Sequence, residues 1–155
     1  MTIQDWGAIG EIVGGVGVIV TLLYLATQIR QNTKQVASSS LQAMSQRVEA
    51  RMMAAAANSE FANIIRRWRD GEEVTEDELF QAQNWFSSWV SDVQDGYRQV
   101  RLGTIEESVL RGRILSVATM LRSQHAQKQW NELKAFMDPE FAAWLERKIT
   151  EMEST

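Results

Sequence analysis

The residue types that carry most enzyme chemistry are nearly absent from this chain. It holds no cysteine and one histidine, His125. That removes disulfides, thiol nucleophiles and thiolate metal sites, and leaves almost nothing for imidazole ligation or general base work. Two polar residues stand out by place rather than by type. Glu11 directly precedes an uncharged run, Ile12 to Ile29, and Gln28 lies near its other end. An ionisable group beside an apolar run is costly to bury unless it faces water or a partner. A ring of Glu11 carboxylates at the outer mouth of an oligomer would attract cations, and Gln28 would hold the equivalent place at the inner mouth. The plainer expectation is that both sit at an interface, reaching headgroups or water.

Other polar groupings carry less. Asp92 and Asp95 share a face one turn apart, but no histidine or phosphate-binding loop adjoins them, so they are not read as catalytic. Asp70, Glu72, Glu73, Glu76, Asp77 and Glu78 form an acidic loop without EF-hand spacing, as expected where acids gather at a helix N-terminus. Arg66, Arg67 and Arg69 read as a solvated helix end rather than a lipid or partner contact. Trp68, Trp85, Trp89, Trp130 and Trp144 read as core, not as an aromatic ligand pocket. No metal and no cofactor is expected, and the chain is not expected to be an enzyme. A net charge of −4 also argues against nucleic acid as a partner, since that affinity comes mostly from a basic surface.

The element that positions Glu11 and Gln28 is a helix. The run Ile12 to Ile29 is 18 residues long, about 27 Å as an α-helix and close to the roughly 30 Å of bilayer hydrocarbon. It reads as a transmembrane helix, with Trp6 and Tyr24 placed near the two interfaces. An acidic tail and a long apolar core make it an uncleaved anchor rather than a signal peptide. Arg30 and Lys34 follow the run and no basic residue precedes it, which puts the N-terminus outside and the remainder in the cytoplasm. Gly7, Gly10, Gly14, Gly17 and Thr21 recur at spacings of 3, 4, 3 and 4, a stripe of small residues that lets membrane helices approach closely. The expected partners are therefore the lipid bilayer and further copies of the chain, or another membrane protein.

Residues 30–57 contain neither Gly nor Pro, so the helix is expected to continue as a stalk, about 75 Å in all from Trp6. Ala37, Leu41, Met44, Val48, Arg51 or Met52, and Ala55 approximate a thin heptad seam. Beyond it, Ser59 is expected to cap a short helix that Gly71 ends. Thr75 to Glu78 forms a capping box opening a helix toward Leu102, with Gly103 as its stop. Thr104 to Glu107 reads as a second box, for a helix to about Ser123; another follows from His125 to Met137. Asp138 and Pro139 open the last, to about Met152. The fold class is all-α: a single transmembrane helix (1–29), a helical stalk (30–57) and a cytoplasmic bundle of four to five helices (58–155).

The stretch Trp6-Gly7-Ala8-Ile9-Gly10-Glu11-Ile12-Val13-Gly14, with Leu22 to Thr33, resembles the start of a family of uncharacterised bacterial membrane-anchored helical proteins. Tyr97 to Gln99, Arg101 to Gly103, Trp130 and Asp138 to Phe141 are similar too. The resemblance implies a bacterial inner-membrane protein with no assigned activity and transfers no catalytic residue. The expected role is assembly; an ion channel or an accessory subunit of a larger membrane complex are the alternatives.

Overall fold

A computed structural model describes residues 3–153, and within the first helix the side-chain surroundings of Gly10, Glu11 and the residues from Gly14 on. Among these residues there are six α-helices and no strand: α1 (Ile3–Ala57), α2 (Ser59–Asp70), α3 (Glu76–Arg101), α4 (Arg111–Met120), α5 (Gln124–Leu133) and α6 (Pro139–Glu153). The chain divides into two compact units, Met1–Ser40 and Leu41–Thr155.

In the second unit, local chemistry accounts for most helix ends. Asn58, one residue before the expected Ser59, caps α2 by accepting from Phe61 N at 3.0 Å. Gly71, at φ +79°, closes α2 in the left-handed region that glycine enters without steric cost. The Thr75 capping box forms as read: Thr75 Oγ1 accepts from Glu78 N, and Glu78 Oε2 accepts from Thr75 N at 2.9 Å. That backbone donor, followed by Arg67, holds the Glu78 carboxyl below the usual carboxylate range. At the start of α6, Asp138 Oδ1 accepts from Glu140 N at 2.9 Å.

The expected box at Thr104 does not form. Residues 107–110 make a 3-10 turn, α4 begins only at Arg111, and the Glu106 side chain caps nothing. The Glu107 carboxylate is engaged elsewhere: it accepts from Lys148 Nζ at 2.8 Å and Trp144 Nε1 at 3.4 Å, both on α6. Ile105 is buried beside it. Tertiary pairing has displaced a local cap. The fifth helix likewise stops at Leu133 and passes through a 3-10 turn, Lys134–Phe136, instead of reaching Met137.

The core gathers the apolar stripes of these helices. Ala82, Phe86, Trp89, Val90, Val93 and Tyr97 of α3 are buried against Leu110, Ile114 and Val117, and against Phe141, Trp144 and Leu145 of α6. Phe80, also on α3, is 68% exposed. Trp68 and Trp130 complete the interior. Met44 of α1 is also fully buried, with Leu41 and Val48 packed beside it, so these seam positions are covered by the chain's own core. The contact is tight at Gly96, where an added Cβ would collide with Leu110 Cδ2 and stand 3.0 Å from Met44 Cε.

Two predictions follow from this packing. Gly96→Val should lower unfolding free energy by about 1–3 kcal/mol in denaturant titrations, because overpacking at a closed site outweighs the small gain in helix propensity. The second concerns acid. Hydrogen bonding from Lys148 holds the Glu107 carboxyl low, and Lys134 with Trp130 does the same for Glu146. A depressed carboxyl contributes stability above its unfolded pKa, about 4.3, and loses it as pH falls through the folded value. Glu107→Gln should therefore cost no more than about 1 kcal/mol near neutrality, as half-exposed pairs do. Its stability curve below about pH 4.5 should be shallower than that of the unaltered chain.

Candidate functional site

The site residues singled out in the sequence all belong to α1. Gly7 and Trp6 lie outside the residues whose surroundings are described. Gly10, Gly14 and Gly17 are exposed, and a Cβ added at any of them would meet nothing within 4 Å. Thr21 Oγ1 donates to the Gly17 carbonyl at 2.8 Å, so its hydroxyl is satisfied within the helix. Thr27 does the same toward Leu23 at 2.9 Å, and Gln28 Nε2 donates to the Tyr24 hydroxyl at 2.9 Å. The uncharged stretch thus satisfies its side-chain polar groups internally and leaves the small-residue stripe open.

The large side chains around that stripe are open as well. Val16, Val18, Ile19, Val20, Leu22, Leu23, Leu25 and Ile29 are between 45% and 66% exposed. At 100° per residue these positions cover more than half of the helix circumference, and the remaining sector carries Gly10, Gly14, Gly17, Thr21, Tyr24 and Gln28, with no charged side chain between 14 and 29. Glu11 is exposed too, seventeen positions before Gln28 and hence about 25 Å away along the axis. Within one chain the two are not brought together. Among the described residues no helix is long and apolar enough to cross a membrane. The described share of the run, 14–29, is 16 residues, about 24 Å against roughly 30 Å of hydrocarbon. Ile12 and Val13, which open the run in the sequence, lie outside it.

The second unit holds a polar centre that sequence spacing did not reveal. Asp92 is 2% exposed in the interior of α3. Its Oδ1 accepts from Arg47 Nε at 2.8 Å and its Oδ2 from Arg113 Nε at 3.1 Å, while Arg51 Nη2 stands 3.2 Å from Oδ2. Arg51 also donates from Nη1 to the Ser88 carbonyl and stacks its guanidinium 4.4 Å over the Trp89 ring. Asp95, the other half of the expected pair, stays at the surface, 3.8 Å from Arg98 and 3.9 Å from Arg47. Both Asp92 oxygens thus face guanidinium groups, from three arginines on two other helices. The available cue was Arg51 itself, an arginine on a seam otherwise made of apolar residues, four positions after Arg47.

The remaining candidates resolve into ordinary contacts. Arg66 pairs with Glu72 at 2.8 Å and with Asp70 at 3.6 Å, Arg67 pairs with Glu78, and Arg69 with Asp70 at 3.1 Å, so these arginines face the acidic loop. His125 Nδ1 lies 3.1 Å from the Trp68 carbonyl, which also accepts from Ser123 Oγ. No group of three or more metal-ligating side chains is present among the described residues. No protein-family model matches the chain, and neither a curated protein nor a solved structure is significantly similar to it.

The Asp92 centre yields a direct test. Asp92→Ala leaves three arginines, two of them largely buried, without their shared anion, and should cost about 3–5 kcal/mol of unfolding free energy. A loss under about 1 kcal/mol would mean that the carboxylate does not hold α1, α3 and α4 together.

Proposed function

We propose that the chain is a non-enzymatic, single-pass inner-membrane protein of bacterial type that self-assembles through the small-residue face of α1. The observation that carries this reading is the exposure of eight large aliphatic side chains around 16–29 with no charge among them. Water is a poor solvent for such a surface; at roughly 25 cal/mol per Å² of apolar surface, covering it is strongly favourable. In sequence the uncharged run extends back to Ile12, giving 18 residues between Glu11 and Arg30, within the range of spanning helices. Arg30 and Lys34 on one flank only support an external N-terminus and a cytoplasmic second unit.

Within lipid, association depends on close backbone approach rather than on hydrophobic driving force. The stripe of Gly10, Gly14, Gly17 and Thr21 offers that approach, and among the described residues nothing lies within 4 Å of a Cβ built on its three glycines. The role this supports is a scaffold, with the helical second unit carried at the membrane surface.

Two measurements test the proposal. The chain should stay with bacterial membranes through alkaline carbonate washing and be released by detergent; recovery in the wash would overturn the anchor. Detergent-extracted protein, sized by light scattering with detergent subtracted, should form a defined oligomer. Gly14→Leu, which strains nothing within the protomer, should raise its dissociation constant roughly tenfold or more. An unchanged mass on dilution would remove the stripe as the basis of assembly.

A further inference from the structure

Beside the Asp92 centre the surface opens into a groove of about 580 Å³, lined by Val48, Met52, Met53, Trp89, Arg113 and Ser116 among others. That volume lies inside the roughly 300–1,000 Å³ of small-molecule sites. Its walls are mainly apolar and include two methionines, which adapt to irregular flexible chains. Met52 and Met53 are 60% and 62% exposed, so the groove has an uncovered apolar floor.

The polar groups beside this floor include donors lacking acceptors. Trp89 is 5% exposed and its indole N–H is buried without a partner. Arg51, stacked on the Trp89 ring, has a buried Nε with no hydrogen-bond partner, while its Nη2 stands 3.2 Å from Asp92 Oδ2. Arg113, in the groove wall, commits Nε to Asp92 and Nη1 to the Val109 carbonyl. Charge is unbalanced in the same direction. Arg47, Arg51 and Arg113 face Asp92, with Asp95 only at the margin of Arg47. The Arg51 and Arg113 side chains are each 13% exposed, so water screens them little, whereas Glu49 at the rim is exposed and screened. A buried excess of guanidinium is costly until an anion meets it.

We propose that this groove binds a long-chain carboxylate, a single-chain anionic amphiphile, with its tail along Val48, Met52 and Met53 and its head on Arg113. A carboxylate meets the guanidinium's charge with a charge-assisted hydrogen bond, and the tail replaces water over the methionines. The inference rests on the second unit alone and stands whether or not α1 spans a membrane.

The full chain in dodecyl maltoside, on a Trp6→Phe background that removes the tryptophan next to the apolar run, is titrated with dibrominated stearate while tryptophan fluorescence is followed. Bromine quenches at close range, so the acid should quench saturably through Trp89. The matching dibrominated alcohol should need roughly tenfold higher concentration, having lost the charge-assisted contact. Ser116→Phe, which fills the groove from its rim, and Met53→Asp, which places a charge at an exposed position, should each weaken the acid roughly tenfold at unchanged melting temperature. Equal quenching by acid and alcohol, absence of saturation, or wild-type behaviour in both variants would overturn the proposal. So would a Ser116→Phe variant that quenches normally but changes oligomer mass, which would make the groove a contact between copies.

Discussion

A carboxylate held out of water constrains the whole second unit. Asp92 lies in the interior of α3 with 2% of its surface exposed, and such a charge is tolerated only if cations and donors meet it at close range. They come from two other helices: Arg47 and Arg51 from α1, Arg113 from α4. The register of α1 against α3 follows, because two arginines one turn apart must converge on one acid while Met44 enters the core beside Gly96. Apolar packing supplies most of the stabilisation, but it is non-directional; the arginines supply the direction.

Much of the architecture was readable because its signals are local. Thr75 and Glu78 bond each other across three residues, Gly71 closes a helix by its own backbone freedom, and Asp138 before Pro139 starts one. Each depends on neighbours in sequence. The failures arose where distant residues competed. Glu107 has the spacing to close a box with Thr104, but Lys148 and Trp144 reach it from about forty positions away, and the charge-assisted contact prevails. Asp92 and Asp95 looked equivalent at one turn's separation, yet one is buried among arginines and the other half-exposed. Spacing along one helix reports which residues share a face; it does not report what faces them.

The candidate site was legible in a different sense. The uncharged run and its small residues are visible by inspection, and their exposure in the folded chain agrees with a segment that finds no burial within its own protomer. Two patterns of apolar placement thus coexist. From Leu41 on, apolar residues form stripes that meet in one core. From Gly14 to Ile29 they cover more than half of the helix, leaving a sector of Gly, Thr, Tyr and Gln, and all of them are exposed. The groove beside Trp89 could not be read from spacing, because its walls come from α1, α3 and α4.

The depth of Asp92 also sets how the unit responds to ionic strength. Mobile ions screen charges that share their solvent, with a Debye length of about 8 Å at physiological salt and about 3 Å at 1 M. The arginines of α2 that face the acidic loop are half-exposed or nearly so in the Arg66 and Arg69 pairs, and salt weakens such contacts. The Asp92 carboxylate, 1% exposed at its side chain, is beyond reach of that atmosphere. The joint between α1 and the bundle therefore keeps its strength from dilute buffer to brine, while the charged loop between α2 and α3 loosens.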